Sequence, residues 1–204
     1  LALKLYEEMN NANINPTKVT LSSILKACSS IAAIQEGMCI HDFIIKSELE
    51  MDVIVGGSIV NMYAKCGLLN KAQQVFDELT VARDVVLWTS LIGGYVENGF
   101  FTEAIDHFQL MKEEGISPNA FTFSCILKAF GNLGSLMQGK LVHDLIIRHG
   151  NRLDDIVSCC LVDMYVKCKR LEEACRVFEA LNTRNIISWN VLISGLSQQG
   201  YGHL

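Results

Sequence analysis

One offset governs this sequence. His41 and His143 stand 102 residues apart, and so do Lys26 and Lys128, Tyr63 and Tyr165, Cys66 and Cys168, and Phe76 and Phe178. Whole words repeat at the same distance: SSILKA at 22–27 returns as SCILKA at 124–129, and NMYAKC at 61–66 returns as DMYVKC at 163–168. An offset held across roughly sixty residues is the signature of a repeat architecture, and it decides the fold before any single residue does. The shift falls to 101 between Trp88 and Trp189, so the first copy carries one extra residue between Phe76 and Trp88.

The long period divides into helical segments. Ala72-Phe76-Leu79, Ala104-Phe108-Met111 and Ala174-Phe178-Leu181 share the i, i+4, i+7 spacing of one helix face. Residues 87–97 place Trp88, Leu91, Ile92 and Tyr95 on one face, and NGF then breaks the helix with Gly99 available for a left-handed turn. Residues 102–113 resume with Ala104, Ile105, Phe108 and Met111 inward and Thr102 as the expected N-cap, and Gly115 and Pro118 end the segment. A hairpin of about 35 residues cannot bury both apolar faces alone, so neighbours must stack on it. The expected fold class is all-α, an α-solenoid.

Composition agrees with that expectation. Half of the 204 residues are apolar and 19% are charged, which excludes a disordered chain. Two prolines among them exclude collagen-like and proline-rich segments. Every apolar run is interrupted short of the ~18 residues of a membrane span. The net charge of −5 opposes broad electrostatic attraction to nucleic acid or anionic membrane, without excluding a locally basic groove. The eight cysteines form no C-x-x-C pair, so neither a zinc knuckle nor a thioredoxin-like motif is present, and a reducing interior is expected. The opening LALKLYEEM is neither a signal nor a transit peptide and reads as the second half of an amphipathic helix, so the chain is expected to be an excised fragment.

Residues 85–119, VVLWTSLIGGYVENGFFTEAIDHFQLMKEEGISPN, resemble a 35-residue pentatricopeptide repeat. Residues 53–84 and 155–185 are similar to its short S variant, through NMYAKCG and DMYVKCK, and residues 18–52 and 120–154 to its L variant, through SILKAC, ILKAF and a mid-helix His. With residues 1–17 and 186–204 as partial P units, the order is P, L, S, P, L, S, P across the chain, similar to the plant organellar PLS subfamily. Unit lengths of 35, 32 and 35 account for the offset of 102, and an S unit of 31 for the 101. Two departures stand out: Lys169 replaces Gly67, so that turn is expected to differ, and Asn13, which tolerates left-handed φ, replaces a Gly in the first unit. The tetratricopeptide repeat is the runner-up, since Trp88-x-x-Leu91 and Ala104 with Phe108 fit its signature. The mixed unit lengths, and proline one residue before a unit's end at Pro16 and Pro118, favour the pentatricopeptide reading.

The resemblance implies one array over residues 1–204, a right-handed α-solenoid that recognises single-stranded RNA one base per repeat. Two positions per unit then face a base: the fifth residue, in the opening turn of the first helix, and the last, in the loop entering the next unit. An apolar second residue packs on the base faces. The stacking candidates are Val19, Ile54, Val86, Phe121, Ile156 and Ile187. Periodicity alone would assign these six to the core; the resemblance assigns them to bases.

For base selection, an ionised Asp only accepts and suits the imino N–H of G or U, whereas an Asn amide also donates and suits the ring acceptor of A or C. The resemblance associates Thr or Ser at the fifth position with purines and Asn with pyrimidines. Thr89 with Asn119 then implies A, and Ser22 with Asp52 and Ser124 with Asp154 lean towards G. Gly57 with Asp84 and Cys159 with Asn185 are expected to discriminate little, Asn190 suggests a pyrimidine, and Thr17 closes the truncated first unit. The implied target is close to 5′-G?AG?Y-3′. Lys26, Lys65, Lys128 and Lys167 are candidates to line a phosphate groove, although surface lysines also snorkel.

No His-x-Glu, P-loop or G-x-S-x-G motif is present, so neither an enzyme nor a cofactor or metal is expected. Cys39 and His41, two apart on a helix, point to different faces. The expected role is target recognition for a mitochondrial or chloroplast RNA-processing factor, foremost one guiding C-to-U editing. The alternative is a protein-interaction scaffold that binds organellar RNA-editing factors through its L units or self-associates through solenoid ends.

Overall fold

The computed structural model describes residues 1–47, 53–79, 83–148, 155–181 and 183–198. Among these there are twelve helices and no strand: α1 (Ala2–Asn11), α2 (Lys18–Ile31), α3 (Ile34–Lys46), α4 (Val53–Lys65), α5 (Leu69–Glu78), α6 (Val85–Glu97), α7 (Phe101–Glu113), α8 (Ala120–Leu133), α9 (Leu136–Arg148), α10 (Asp155–Lys167), α11 (Leu171–Glu179) and α12 (Ile186–Gln198). The chain forms two compact units, Leu1–Phe100 and Phe101–Leu204. In the first, α2, α4 and α6 lie side by side in one row, with α1, α3 and α5 behind them; in the second, α8, α10 and α12 form the row, backed by α7, α9 and α11. Stacked helical hairpins of this kind are an all-α repeat solenoid.

The repeated words make repeated contacts. His41 Nδ1 lies 2.9 Å from the Tyr63 hydroxyl, and His143 Nδ1 lies 2.9 Å from the Tyr165 hydroxyl. Each pair joins the two neighbouring helices in chain order, α3 to α4 and α9 to α10. Burial pushes both imidazoles below their ordinary range and both phenols above theirs. Phe76 meets Trp88 edge to face at 4.7 Å, and Phe178 meets Trp189 at the same distance. Close approach of first helices requires a small residue at one point: a Cβ built on Gly94 of α6 would stand 2.3 Å from the Ala64 Cβ of α4.

Two expectations need correction. Helix α7 begins at Phe101, so Thr102 lies inside its first turn and is not the N-cap. The turn at Lys169 does not differ from the turn at Gly67. Lys169 takes φ 58°, Gly67 takes φ 78°, and both turns donate the same pair of backbone hydrogen bonds, to Val166 and Tyr165 in one and to Ala64 and Tyr63 in the other. Those bonds satisfy the last carbonyls of the helix and hold even a lysine in the left-handed region. Asn13 is left-handed too, at φ 55°, and so is Ala32, at φ 54°, where the second copy has Gly134 at φ 66°.

Candidate nucleic-acid interface

Every first helix leaves the large apolar side chain of its second residue uncovered. Val19, Ile54, Val86, Phe121, Ile156 and Ile187 are between 59% and 75% exposed. Each is the second residue of its helix. Their neighbours show how the register achieves this. In α8, Phe123, Ile126, Leu127 and Phe130 are buried, while Phe121, two residues before Phe123 and so on the far side of the helix, faces solvent. The same second position is thus exposed three times in each compact unit.

Four of the residues that precede first helices do a second job. Thr17, Asp84, Asn119 and Asn185 are N-caps: their side-chain oxygens accept from the backbone N–H of Thr20 (3.3 Å), Leu87 (2.8 Å), Thr122 (2.9 Å) and Ser188 (2.9 Å). Thr17 with Thr20 and Asn119 with Thr122 complete reciprocal capping boxes. Capping orients what remains. A backbone N–H can only donate, so it fixes the Asn amide oxygen inward and leaves the NH2 donors outward; an Asp cap leaves its second carboxylate oxygen as an acceptor. The capping signal, Asn-x-x-Thr or Thr-x-x-Thr ahead of an apolar run, was present in the sequence beside the base-selecting assignment.

Five of the six fifth-position residues are more covered than the second-position side chains. Gly57 is buried, Thr89 is 5% exposed and Cys159 9% exposed. Ser22 is half-buried, with its hydroxyl sealed and unpartnered, and Ser124 donates to the Ala120 carbonyl at 2.9 Å. Asn190 is exposed. One fifth-and-last pair is in direct contact, Cys159 Sγ with Asn185 Oδ1 at 3.8 Å. A Cβ on Gly57 would reach Leu87, the residue that Asp84 caps. Asp52 and Asp154 lie outside the described residues, so the pairs Ser22 with Asp52 and Ser124 with Asp154 do too. Thr89 belongs to the first compact unit and Asn119 to the second.

Charge on this face differs from the chain's average. Lys26 and Lys128 follow Val19 and Phe121 by seven residues, and Lys65 and Lys167 follow Ile54 and Ile156 by eleven, spacings that keep each lysine on its partner's helix face. All four are exposed. Asp163 and Glu97 fall on the same rows, and Lys167 pairs with Asp163 at 2.8 Å. Cys39 is exposed while His41 is buried, and none of the eight cysteines forms a disulfide. Among the described residues, no group of three or more His, Cys, Asp or Glu could hold a metal ion, and no helix is long and apolar enough to cross a membrane.

Comparison with known proteins places these features. A model described as the PPR repeat family matches residues 83–132, and one described as the PPR repeat matches 57–82, 157–186 and 187–203. A pentatricopeptide repeat-containing protein of Arabidopsis thaliana is 42% identical over 201 residues, 98% of this chain and 28% of its own length. A chloroplastic protein of that description is 36% identical over 98% of this chain and 32% of its own length, and a mitochondrial one 36% identical over 98% and 29%. The chain thus spans about a third or less of the curated relatives it matches. Among solved structures, PPR10 in complex with an 18-nt psaJ RNA element shares the fold with a TM-score of 0.75, at 24% identity over 93% of this chain and 28% of that one. A structure described as PPR10 from maize gives 0.66, at 24% identity over 94% of this chain and 28% of that one.

Proposed function

The chain belongs to the PPR repeat family, and from that premise we propose that it binds single-stranded RNA, one base per repeat, as the target-recognition segment of a longer organellar RNA-processing factor. The observation that carries this reading is the set of six second-position apolar side chains held in solvent at the same turn of six first helices. Core packing does not use them, and a base slotted between two neighbours along a row would be covered on both faces. The repeat division is P (1–17), L (18–52), S (53–84), P (85–119), L (120–154), S (155–185) and P (186–204), in the manner of the PLS subfamily. C-to-U editing is the process that such an array would guide, in mitochondria or chloroplasts, the compartments that two relatives' names carry.

Selection falls to the fifth and last residues. Ser22 with Asp52, Thr89 with Asn119 and Ser124 with Asp154 are assigned to G, A and G, and Asn190 to a pyrimidine. The cap geometry supports the last-position rule, because it leaves donors on Asn119 and an acceptor on Asp84. The test is titration of a labelled six-nucleotide RNA with the chain at several salt concentrations. Four interface lysines give a log–log salt slope of at most about −3, at roughly −0.7 per phosphate neutralised on a single strand. No affinity for any single-stranded RNA at low salt overturns the proposal.

A second reading has its own observation. The second helix α9, in an L unit, exposes Met137, Leu141 and Ile147, and its first-copy counterpart α3 exposes Phe43 and Ile45. Such apolar surface on the layer away from the RNA row suits a protein partner, an RNA-editing factor or another copy of the chain. A complex that persists in high salt without RNA affinity would favour this scaffold role over the first reading.

A further inference from the structure

The back layer of the first compact unit holds a groove. Helices α1 and α3 both pack on α2, while their own backbones stay apart. The space between them has a volume of about 410 Å³. Leu3, Tyr6, Ile40 and Phe43 give it a mainly apolar lining, and each helix adds one carboxylate, Glu7 from α1 and Glu36 from α3. Both glutamates are exposed, and neither is ion-paired among the described residues; Lys4 of α1 reaches Glu8 instead, at 4.0 Å. No described lysine or arginine lines the groove. The offset of 102 supplies an internal comparison. It puts Gln109 and Gln138 of the second compact unit where Glu7 and Glu36 stand, and Lys112 where the groove has Asn10. Lys112 lies 4.9 Å from the centre of the Phe108 ring. Two carboxylates without a cation are thus particular to this groove and are not a feature of the repeat.

We propose that the groove between α1 and α3 docks a basic amphipathic helix of a partner protein. Its lining sets the chemistry of the occupant. Apolar side chains of the partner enter against Leu3, Tyr6, Ile40 and Phe43, and flanking lysines or arginines meet Glu7 and Glu36. The secondary structure of the occupant follows from the walls. Both walls are helices whose backbone groups are bonded within themselves, so an extended segment would find no partners for its N–H and C=O groups. A helix brings its own. The same two carboxylates repel phosphate, which keeps nucleic acid off this face, and they repel an acidic helix equally. The proposal does not rest on the RNA-binding reading, because α1 and α3 lie behind the row that carries Val19, Ile54 and Val86.

The test is fluorescence anisotropy of a labelled helix-forming peptide of Leu and Lys, about 15 residues long with its leucines on one face, titrated with the chain. A peptide with Glu in place of every Lys is the charge control. Wild type should bind the Lys peptide and not the Glu peptide. Glu7→Gln with Glu36→Gln, which copies the second unit's residues, should weaken binding roughly 3- to 30-fold, the worth of two ion pairs at a groove rim. Glu8→Gln with Asp42→Asn removes as much charge from the same two helices outside the groove and should leave affinity within about twofold of wild type. Affinity for a labelled six-nucleotide RNA should fall in neither variant. No binding of the Lys peptide at low salt overturns the proposal and leaves the RNA-binding reading standing. Equal binding of the two peptides, or equal weakening by the two double variants, overturns it as well, since either marks attraction that does not use the groove. Peptide binding that follows the expected pattern in a chain without RNA affinity upholds it and sinks the RNA-binding reading alone.

Discussion

Phe121 and Phe123 are two residues apart on α8 and face opposite fates, which makes their alanine variants a sharp test of what the exposed row does. Phe123 is 1% exposed, so Phe123→Ala removes a core ring and should cost about 3–5 kcal/mol of stability. Phe121 is 62% exposed, which leaves 38% covered. At ~200 Å² for a Phe side chain and ~25 cal/mol/Å², the covered part sets a ceiling of about 2 kcal/mol on the stability lost in Phe121→Ala. RNA affinity should respond in the opposite order. Loss of one base-stacking platform is worth about 1–3 kcal/mol, or roughly 5- to 150-fold in Kd. Urea denaturation reports the first quantity, and fluorescence anisotropy on a labelled six-nucleotide RNA the second. The reasoning is refuted if Phe121→Ala destabilises the fold like a core variant, or leaves RNA affinity within twofold of wild type.

The remaining predictions concern packing, turns and pH. Gly94→Ala would force a Cβ to within 2.3 Å of the Ala64 Cβ and should lower stability by about 1–3 kcal/mol in urea denaturation, because α4 and α6 must separate. Lys169→Gly relieves a left-handed side-chain residue at φ 58° and should raise stability by up to about 1 kcal/mol, partly offset by the greater freedom of glycine in the unfolded chain. His41 faces Tyr63, Asp42, Glu78 and Lys71, and His143 faces Tyr165 and Asp144; burial depresses both imidazoles. A depressed folded-state pKa means that the histidines' contribution is intact above the unfolded value of about 6.5 and is lost as pH falls below it. Thermal midpoints should therefore drop between about pH 7 and 5 more steeply in wild type than in a His41→Gln, His143→Gln double variant.

The fold was legible because repetition in the sequence records repetition of contacts. The offset of 102 that relates His41 to His143 and Tyr63 to Tyr165 is the same hydrogen bond made twice. The offset of 101 between Trp88 and Trp189 likewise repeats one ring contact, to Phe76 and to Phe178. Periodicity could not show that Val19 or Phe121 would face solvent, since an apolar residue near a helix start suits burial equally well; the angular offset from neighbours such as Phe123 decides it. Lys169 misled because glycine preference is a weak prior, and the two backbone hydrogen bonds of the turn outweigh it. The contact between Cys159 and Asn185 joins residues 26 apart across a helix, a turn and a second helix, and no local pattern encodes it. The N-caps were a different kind of omission: Asn119 and Thr17 carried a readable capping signal that the base-selecting role proposed for them obscured.

The central claim is that identity at defined positions chooses the base, and Thr89 tests it most directly. The affinity of the wild-type chain and of Thr89→Asn should be measured for two RNAs that differ only in A or C at the third base. One base per repeat predicts that wild type prefers A and that Thr89→Asn prefers C, with the two curves crossing. An unchanged preference in the variant, or equal affinity of the wild-type chain for both RNAs, would contradict the account.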